Sequence, residues 1–143
     1  MKHLFISLLL LINMATAFAG DKPIPGAALR SFEKTFSNAK EVNWSESMDL
    51  YKAEFLLNYQ HVTAYYTDEG NLTGLKKNIL STQLPLILQT SLQNSFAGYW
   101  ITETIEVYNE GEMSYYVSVE NGKRKLVLRS SNSNWILFQK AGK

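Results

Sequence analysis

Few side chains in this sequence can do chemistry near neutral pH. Of its two histidines, His3 sits in an apolar leader. That leaves His61, in "NYQHVT", as the one imidazole available for acid–base work. A lone histidine between two strands reads as a solvated turn residue. There is no cysteine, which excludes thiol catalysis, cysteine-based zinc sites, a disulfide framework and a lipid-modified cysteine. Serines are plentiful, but no G-x-S-x-G elbow presents one, and every triad would have to recruit His61. Neither phosphate-cradling glycine pattern occurs. The remaining pair is Asp68-Glu69 in "AYYTDEGNLTG". Adjacent acids on a strand face opposite ways, and "TDEGN" lacks the alternating acids of a calcium loop. The spacing predicts a hairpin turn, with Gly70 or Asn71 supplying positive φ; a loose one-ion site on Asp68 is the competing reading. This inventory predicts no catalytic residue, no metal site and no cofactor, hence a protein that is not an enzyme.

The elements that carry these residues show two hydrophobic periods. In "KPIPGAALRSFEKTFSNAKE", Ala28/Leu29, Phe32 and Phe36 stand three or four apart, which predicts a helix with Pro25 at its start. Tyr51, Ala53, Phe55, Leu57 and Tyr59 then alternate with Lys52, Glu54, Leu56, Asn58 and Gln60, and Val62, Ala64 and Tyr66 with Thr63, Tyr65 and Thr67. This period of two predicts half-buried strands, with a further strand after Gly70. The order then recurs. Pro85, Leu88, Leu92 and Phe96 stand 60 residues after Pro25, Ala28, Phe32 and Phe36. At the same offset Phe55 and Leu57 match Tyr115 and Val117. With a two-residue slip, Ala64 and Tyr66 match Leu126 and Leu128. Turns are expected at Asn109-Glu110-Gly111, Asn121-Gly122 and Ser131–Asn134. The fold class is therefore α+β: two tandem units, about 22–80 and 81–143, each a helix and three or four antiparallel strands. Together they predict one curved sheet with both helices on one face.

Strand parity assigns the second face of that sheet. With Phe55, Leu57, Tyr66, Tyr115, Val117, Leu126 and Leu128 under the helices, Lys52, Glu54, Thr63, Tyr65, Tyr108, Tyr116, Ser118 and Arg129 stand opposite. Tyrosine and arginine among small hydroxyls suit a protein-binding surface. Tyrosine and threonine also favour strands for their own sake.

The chain opens "MKHLFISLLLLINMATAFAG": one lysine, an apolar run too short to span a bilayer, then Ala17-Phe18-Ala19. This is the pattern of a secretory signal (residues 1–19) cleaved after Ala19. It predicts a periplasmic or secreted single domain, residues 20–143, with no membrane anchor. Removing Lys2 from the 14 basic residues leaves 13 against 13 acidic ones. A balanced charge gives no electrostatic reason to bind nucleic acid.

"FEKTFSNAKEVNW", "YKAEF", "VTAYYTDEGNL", "LPLILQTSLQNSFAGYWI" and "SYYVSVENGKRKLVL" follow in order. In this the chain resembles the PepSY-like family of exported bacterial proteins, also described as β-lactamase-inhibitor-like and common in Bacteroidetes. Phe36, Ala39, Val42 and Trp44 fit its F-x-x-A-x-x-V-x-W segment, and Tyr66, Asp68, Gly70 and Leu72 its Y-x-D-x-G-x-L turn. The chain departs from the family in its second unit, where "RSSNSNWIL" replaces an acidic-glycine turn. The resemblance implies two αβ units on a shared sheet outside the cytoplasm, and no catalytic residues. Two functions follow as expectations. One is a non-catalytic binding protein that inhibits or chaperones an envelope or secreted enzyme through the open face. The other is a periplasmic binder of a small molecule, envelope polymer or metal ion.

Overall fold

The computed structural model describes residues 22–141; the expected signal and its cleavage after Ala19 lie outside the described residues. The first unit contains α1 (Gly26–Thr35), β1 (Lys40–Ser47), β2 (Leu50–Leu57), β3 (Gln60–Tyr66) and β4 (Leu72–Asn78). A 3-10 turn (Ser81–Gln83) leads into α2 (Leu86–Ser95), β5 (Trp100–Asn109), β6 (Glu112–Glu120), β7 (Lys125–Ser131) and β8 (Asn134–Ala141). The eight strands form one open antiparallel sheet in chain order, and both helices pack on the same face. The α+β architecture of repeated helix–strand units is as the sequence predicts. No helix among the described residues is long and apolar enough to cross a membrane.

The 60-residue repeat holds closely through the helices. Pro25 and Pro85 occupy the two N-caps with φ −55° and −50°, values close to what the pyrrolidine ring imposes. At the other end, Phe36 donates its N–H to Phe32 O and Phe96 its N–H to Leu92 O, both at 2.8 Å. The exit is repeated too: Ala39 N–H to Phe36 O and Tyr99 N–H to Phe96 O, both at 3.0 Å.

Through the strands the offset is different. The β2–β3 hairpin closes on Leu57 and Gln60, and the β6–β7 hairpin closes on Asn121 N–H to Arg124 O at 2.9 Å. Counted back from these closures, the Ala53–Ala64 pair corresponds to Val117–Leu128. Phe55 therefore answers to Val119, Ala64 to Leu128 and Tyr66 to Ser130, which corrects the matches expected from the sequence. The strands β5 and β6 have 10 and 9 residues against 8 and 8 in β1 and β2. Every even shift preserves the alternation, so the pattern alone cannot choose between them. Tyr59, which continues the apolar alternation in sequence, instead turns the β2–β3 hairpin at φ 65° and is 98% exposed.

Two cores result. Under α1, Phe32 lies at the centre of aromatic rings: Phe55 at 4.9 Å, Trp44 at 5.3 Å, Phe36 at 5.5 Å and Tyr66 at 6.5 Å. Tilted and edge-on pairs of this kind add to what burial alone contributes. Of the F-x-x-A-x-x-V-x-W segment, Phe36, Ala39 and Trp44 pack on this core, while Val42 is exposed. Under α2 the core is chiefly aliphatic, built from Leu84, Leu92, Val117, Val119, Leu126 and Leu128. Between them, on the helix side of the β4–β5 seam, Lys77 and Glu106 form an ion pair at 3.7 Å.

Candidate functional site

The face turned away from the helices is the candidate site, and the ladder registers place its residues. Glu54 pairs with Thr63 and Lys52 with Tyr65; Thr63 then pairs with Lys76 and Tyr65 with Gly74. Across the second unit, Ile105 pairs with Tyr116, Tyr116 with Arg129 and Arg129 with Ile136. Of the residues expected here, Lys52, Glu54, Thr63, Tyr65, Tyr116 and Arg129 do share this face.

Tyr108 does not. It pairs with Leu75 and Met113, and Leu75 packs on the α1 core, so Tyr108 stands on the helix side. Alternation in "TETIEVYN" suggests that Ile105 and Val107 face the helices, leaving Tyr108 outward. The sheet inverts this at its centre. The seam between the helices holds the Lys77–Glu106 ion pair, and the open face takes the apolar residues.

Parity also missed Ile105, Val127 and Lys76 as members of the site. Ile105 is only 3% exposed and Val127 5%, although both helices lie on the opposite face. Tyr116 is the ladder neighbour of Ile105. Tyr116 meets Phe138 edge-on with ring centroids 5.1 Å apart. The signal for this apolar patch is the Ile105/Val107 alternation itself, read with the opposite sign.

Toward the first unit the face becomes charged. Lys52 Nζ lies 3.4 Å from Glu54 Oε1. Burial lowers the Lys76 ammonium below its ordinary value, with Glu103 and Glu54 opposing that shift and Lys52 adding to it. Burial, with a smaller contribution from Glu54, pushes the Tyr65 phenol up to about 12. Tyr65 therefore stays neutral and serves as a hydrogen-bonding group on an apolar ring. Arg129 carries a buried Nε with no hydrogen-bond partner, an unspent donor next to Tyr116 in the ladder.

The acidic stretch is a turn. Gly70 adopts φ 85°, Thr67 N–H donates to Asn71 O at 3.0 Å, and Gly70 N–H to Thr67 O at 3.0 Å. An ideal Cβ at Gly70 would sit 2.5 Å from the Ala27 carbonyl oxygen of α1. Glycine is required there by the positive φ and by the close approach of the helix. His61 is exposed on β3, opposite Leu56. Among the described residues no group of three His, Cys, Asp or Glu side chains could hold a metal ion.

No protein-family model matches the chain, and no curated protein does. Solved structures do. A DUF2874 family protein from Bacteroides uniformis superposes with TM-score 0.70 at 14% identity, covering 82% of this chain and 88% of that one. A BLIP-like protein from Bacteroides fragilis superposes with TM-score 0.70 at 19% identity, covering 85% and 88%. A candidate periplasmic protein from Bacteroides eggerthii reaches TM-score 0.73 at 12% identity, covering 84% and 89%. The chain shares the fold of these proteins. At such identities the likeness establishes architecture, and it agrees with the resemblance read from the sequence.

Proposed function

We propose that this chain is an exported, non-catalytic binding protein that recognises another protein through the open sheet face. The observation that carries the reading is the arrangement of that face. An apolar, tyrosine-bearing patch with accessible surface (Tyr116, Phe138, Ile136) adjoins the already buried Ile105 and Val127 and is flanked by charged side chains (Lys52, Glu54, Lys76, Arg129). An apolar centre with a polar rim, the centre being buried when a partner docks, is the usual anatomy of a protein interface. Tyrosine and arginine are the residues most often found to dominate binding energy there. The likeness to a BLIP-like protein and to a candidate periplasmic protein supports a protein partner met outside the cytoplasm. The partner's class, on this reading, is an envelope or secreted enzyme that the chain inhibits or chaperones.

The test is a pull-down from periplasmic extract with residues 20–143, read by mass spectrometry and repeated with Tyr65→Ala/Tyr116→Ala. The double variant should stay folded and lose the captured protein by tenfold or more. Undiminished capture by a folded double variant removes the open face as the site. N-terminal sequencing of the exported protein should begin at Gly20; a start at Met1 contradicts the signal.

A further inference from the structure

The two repeats differ sharply at one corresponding place. In the first, Tyr66 is 0% exposed and its ring lies 5.8 Å from Trp44 and 6.5 Å from Phe32. Its hydroxyl is buried without a hydrogen-bond partner. The turn Thr67–Asn71 that follows leads Gly70 onto the backbone of α1 at Ala27. In the second repeat Ser130 occupies the Tyr66 position and Ile87 the Ala27 position. The following turn is reduced to Asn132-Ser133. The ring and the longer turn have no counterpart there, and a cavity of about 450 Å³ opens at this place.

The walls of that cavity suit the group missing from it. Pro85, Ile87 and Leu88 from the start of α2, Met113 from β6 and Ile136 from β8 supply apolar surface; Ser130 to Asn132 supply a polar edge, to which Glu112 and Arg129 add charge. Ser130 Oγ accepts the Tyr115 N–H at 2.9 Å, which satisfies the strand where the ladder ends and leaves no large side chain in the space. Leu88 is fixed from the other side, because Trp135 Nε1 donates to its carbonyl at 3.0 Å. The volume of the cleft falls within the usual range of about 300–1,000 Å³ for binding pockets. An aromatic ring with a hydroxyl meets both kinds of wall, and methionine makes favourable contacts with such rings.

We propose that this cleft receives a tyrosine side chain presented on a turn of a partner protein, supplying from outside what Tyr66 and its turn supply within the first repeat. The site lies at the start of α2 and reaches the edge of the open face through Arg129 and Ile136, but neither Tyr65 nor Tyr116 lines it. A partner engaging both would be held at two points of one repeat.

The experiment uses isotope-labelled residues 20–143 and follows backbone amide shifts by NMR. Three probes are titrated: p-cresol, a cyclised peptide of sequence YTDEGNL, and the same peptide with alanine for tyrosine. Saturable shifts at Ser114, Ser130, Ser131 and Asn132 are expected with p-cresol and with the tyrosine peptide. The alanine peptide should bind at least tenfold more weakly. Ser130→Tyr, which rebuilds the first repeat's filling, should abolish binding. Ile87→Trp, which covers the mouth from an exposed position, should weaken it tenfold or more and guards against misfolding of the first variant. Tyr65→Ala/Tyr116→Ala should leave these titrations unchanged, which separates this site from the tyrosines of the open face, since neither lines the cleft. Absent or unsaturable shifts overturn the proposal, as does undiminished binding by a folded Ile87→Trp variant. Binding of p-cresol without the tyrosine peptide also overturns it, in favour of a free phenolic ligand.

Discussion

The first repeat is closed and aromatic, whereas the second is aliphatic and open at one end. Their helices end with the same hydrogen bonds, and each opens with a bond to its proline carbonyl, Leu29 N–H to Pro25 O and Gln89 N–H to Pro85 O. Their cores nevertheless solve the packing problem differently. In the first, small residues on the strands (Ala53 and Ala64, both 0% exposed) make room for the rings of Phe32, Trp44 and Tyr66. In the second, Val117 and Leu128 fill the positions of those alanines, Thr104 pairs with Val117 where Trp44 pairs with Ala53, and Ser130 stands where Tyr66 does. Branched aliphatic side chains fill the middle of the layer and leave its end unfilled. The contrast shows that a repeat can keep its backbone while redistributing volume. The volume left over is where a ligand can enter.

Substitutions can break this contrast, and the largest effect belongs to its centre. Phe32→Ala should cost about 3–5 kcal/mol, at the top of the range for core truncations. Leu92→Ala, its counterpart in α2, should cost less, because fewer rings depend on it. Urea denaturation of both variants measures the difference, and equal losses would mean that the aromatic cluster adds nothing beyond area.

The turns come next. Gly111 has φ 89° with nothing within 4 Å of a Cβ, so Gly111→Ala should cost about 1–2 kcal/mol from conformation alone. Gly70→Ala must also displace the α1 backbone and should cost clearly more. Thermal melts of the pair isolate the docking of the first repeat's turn.

Trp135→Phe removes the bond to the Leu88 carbonyl and should cost about 1 kcal/mol. It should also loosen the second repeat selectively, read as faster amide exchange in α2 than in α1.

The remaining effect is confined to alkaline pH. Burial raises the phenols of Tyr65 and Tyr66 from 10.0 to about 12 in the folded chain. Above pH 10 the unfolded chain ionises these groups first. The stability they contribute is complete below that value and is lost as pH rises toward 12. Denaturation midpoints between roughly pH 9 and 12 should fall, and Tyr65→Phe should reduce the fall. An unchanged slope in that variant would place the alkaline response elsewhere.

Much of the architecture was legible because hydrophobic period is a local property. Phe32 with Phe36, and Leu88 with Leu92, announce helices, while Ala53 with Phe55 and Val62 with Ala64 announce strands. Asp68-Glu69-Gly70 was legible as a turn, although its contact with Ala27 was not. The candidate site was legible in part. Lys52, Glu54, Thr63, Tyr65, Tyr116 and Arg129 follow from parity once the core side is chosen. Tyr108 was misplaced and Ile105 overlooked, because at the sheet centre the apolar side is the one without helices.

The sequence by itself determined the two periods, the order of elements, the duplicated unit and the absence of thiol chemistry. Each of these depends on residue types and short spacings. Only the tertiary structure decided that β2 and β3 recur in β6 and β7 at 64 rather than at 60 or 62, since even shifts leave every side chain on the same face. It alone decided which face of the central strands is apolar, and that Ser130 stands where Tyr66 does. Both depend on registers set by hairpin closures and bulges, and on volumes compared across positions far apart in the chain.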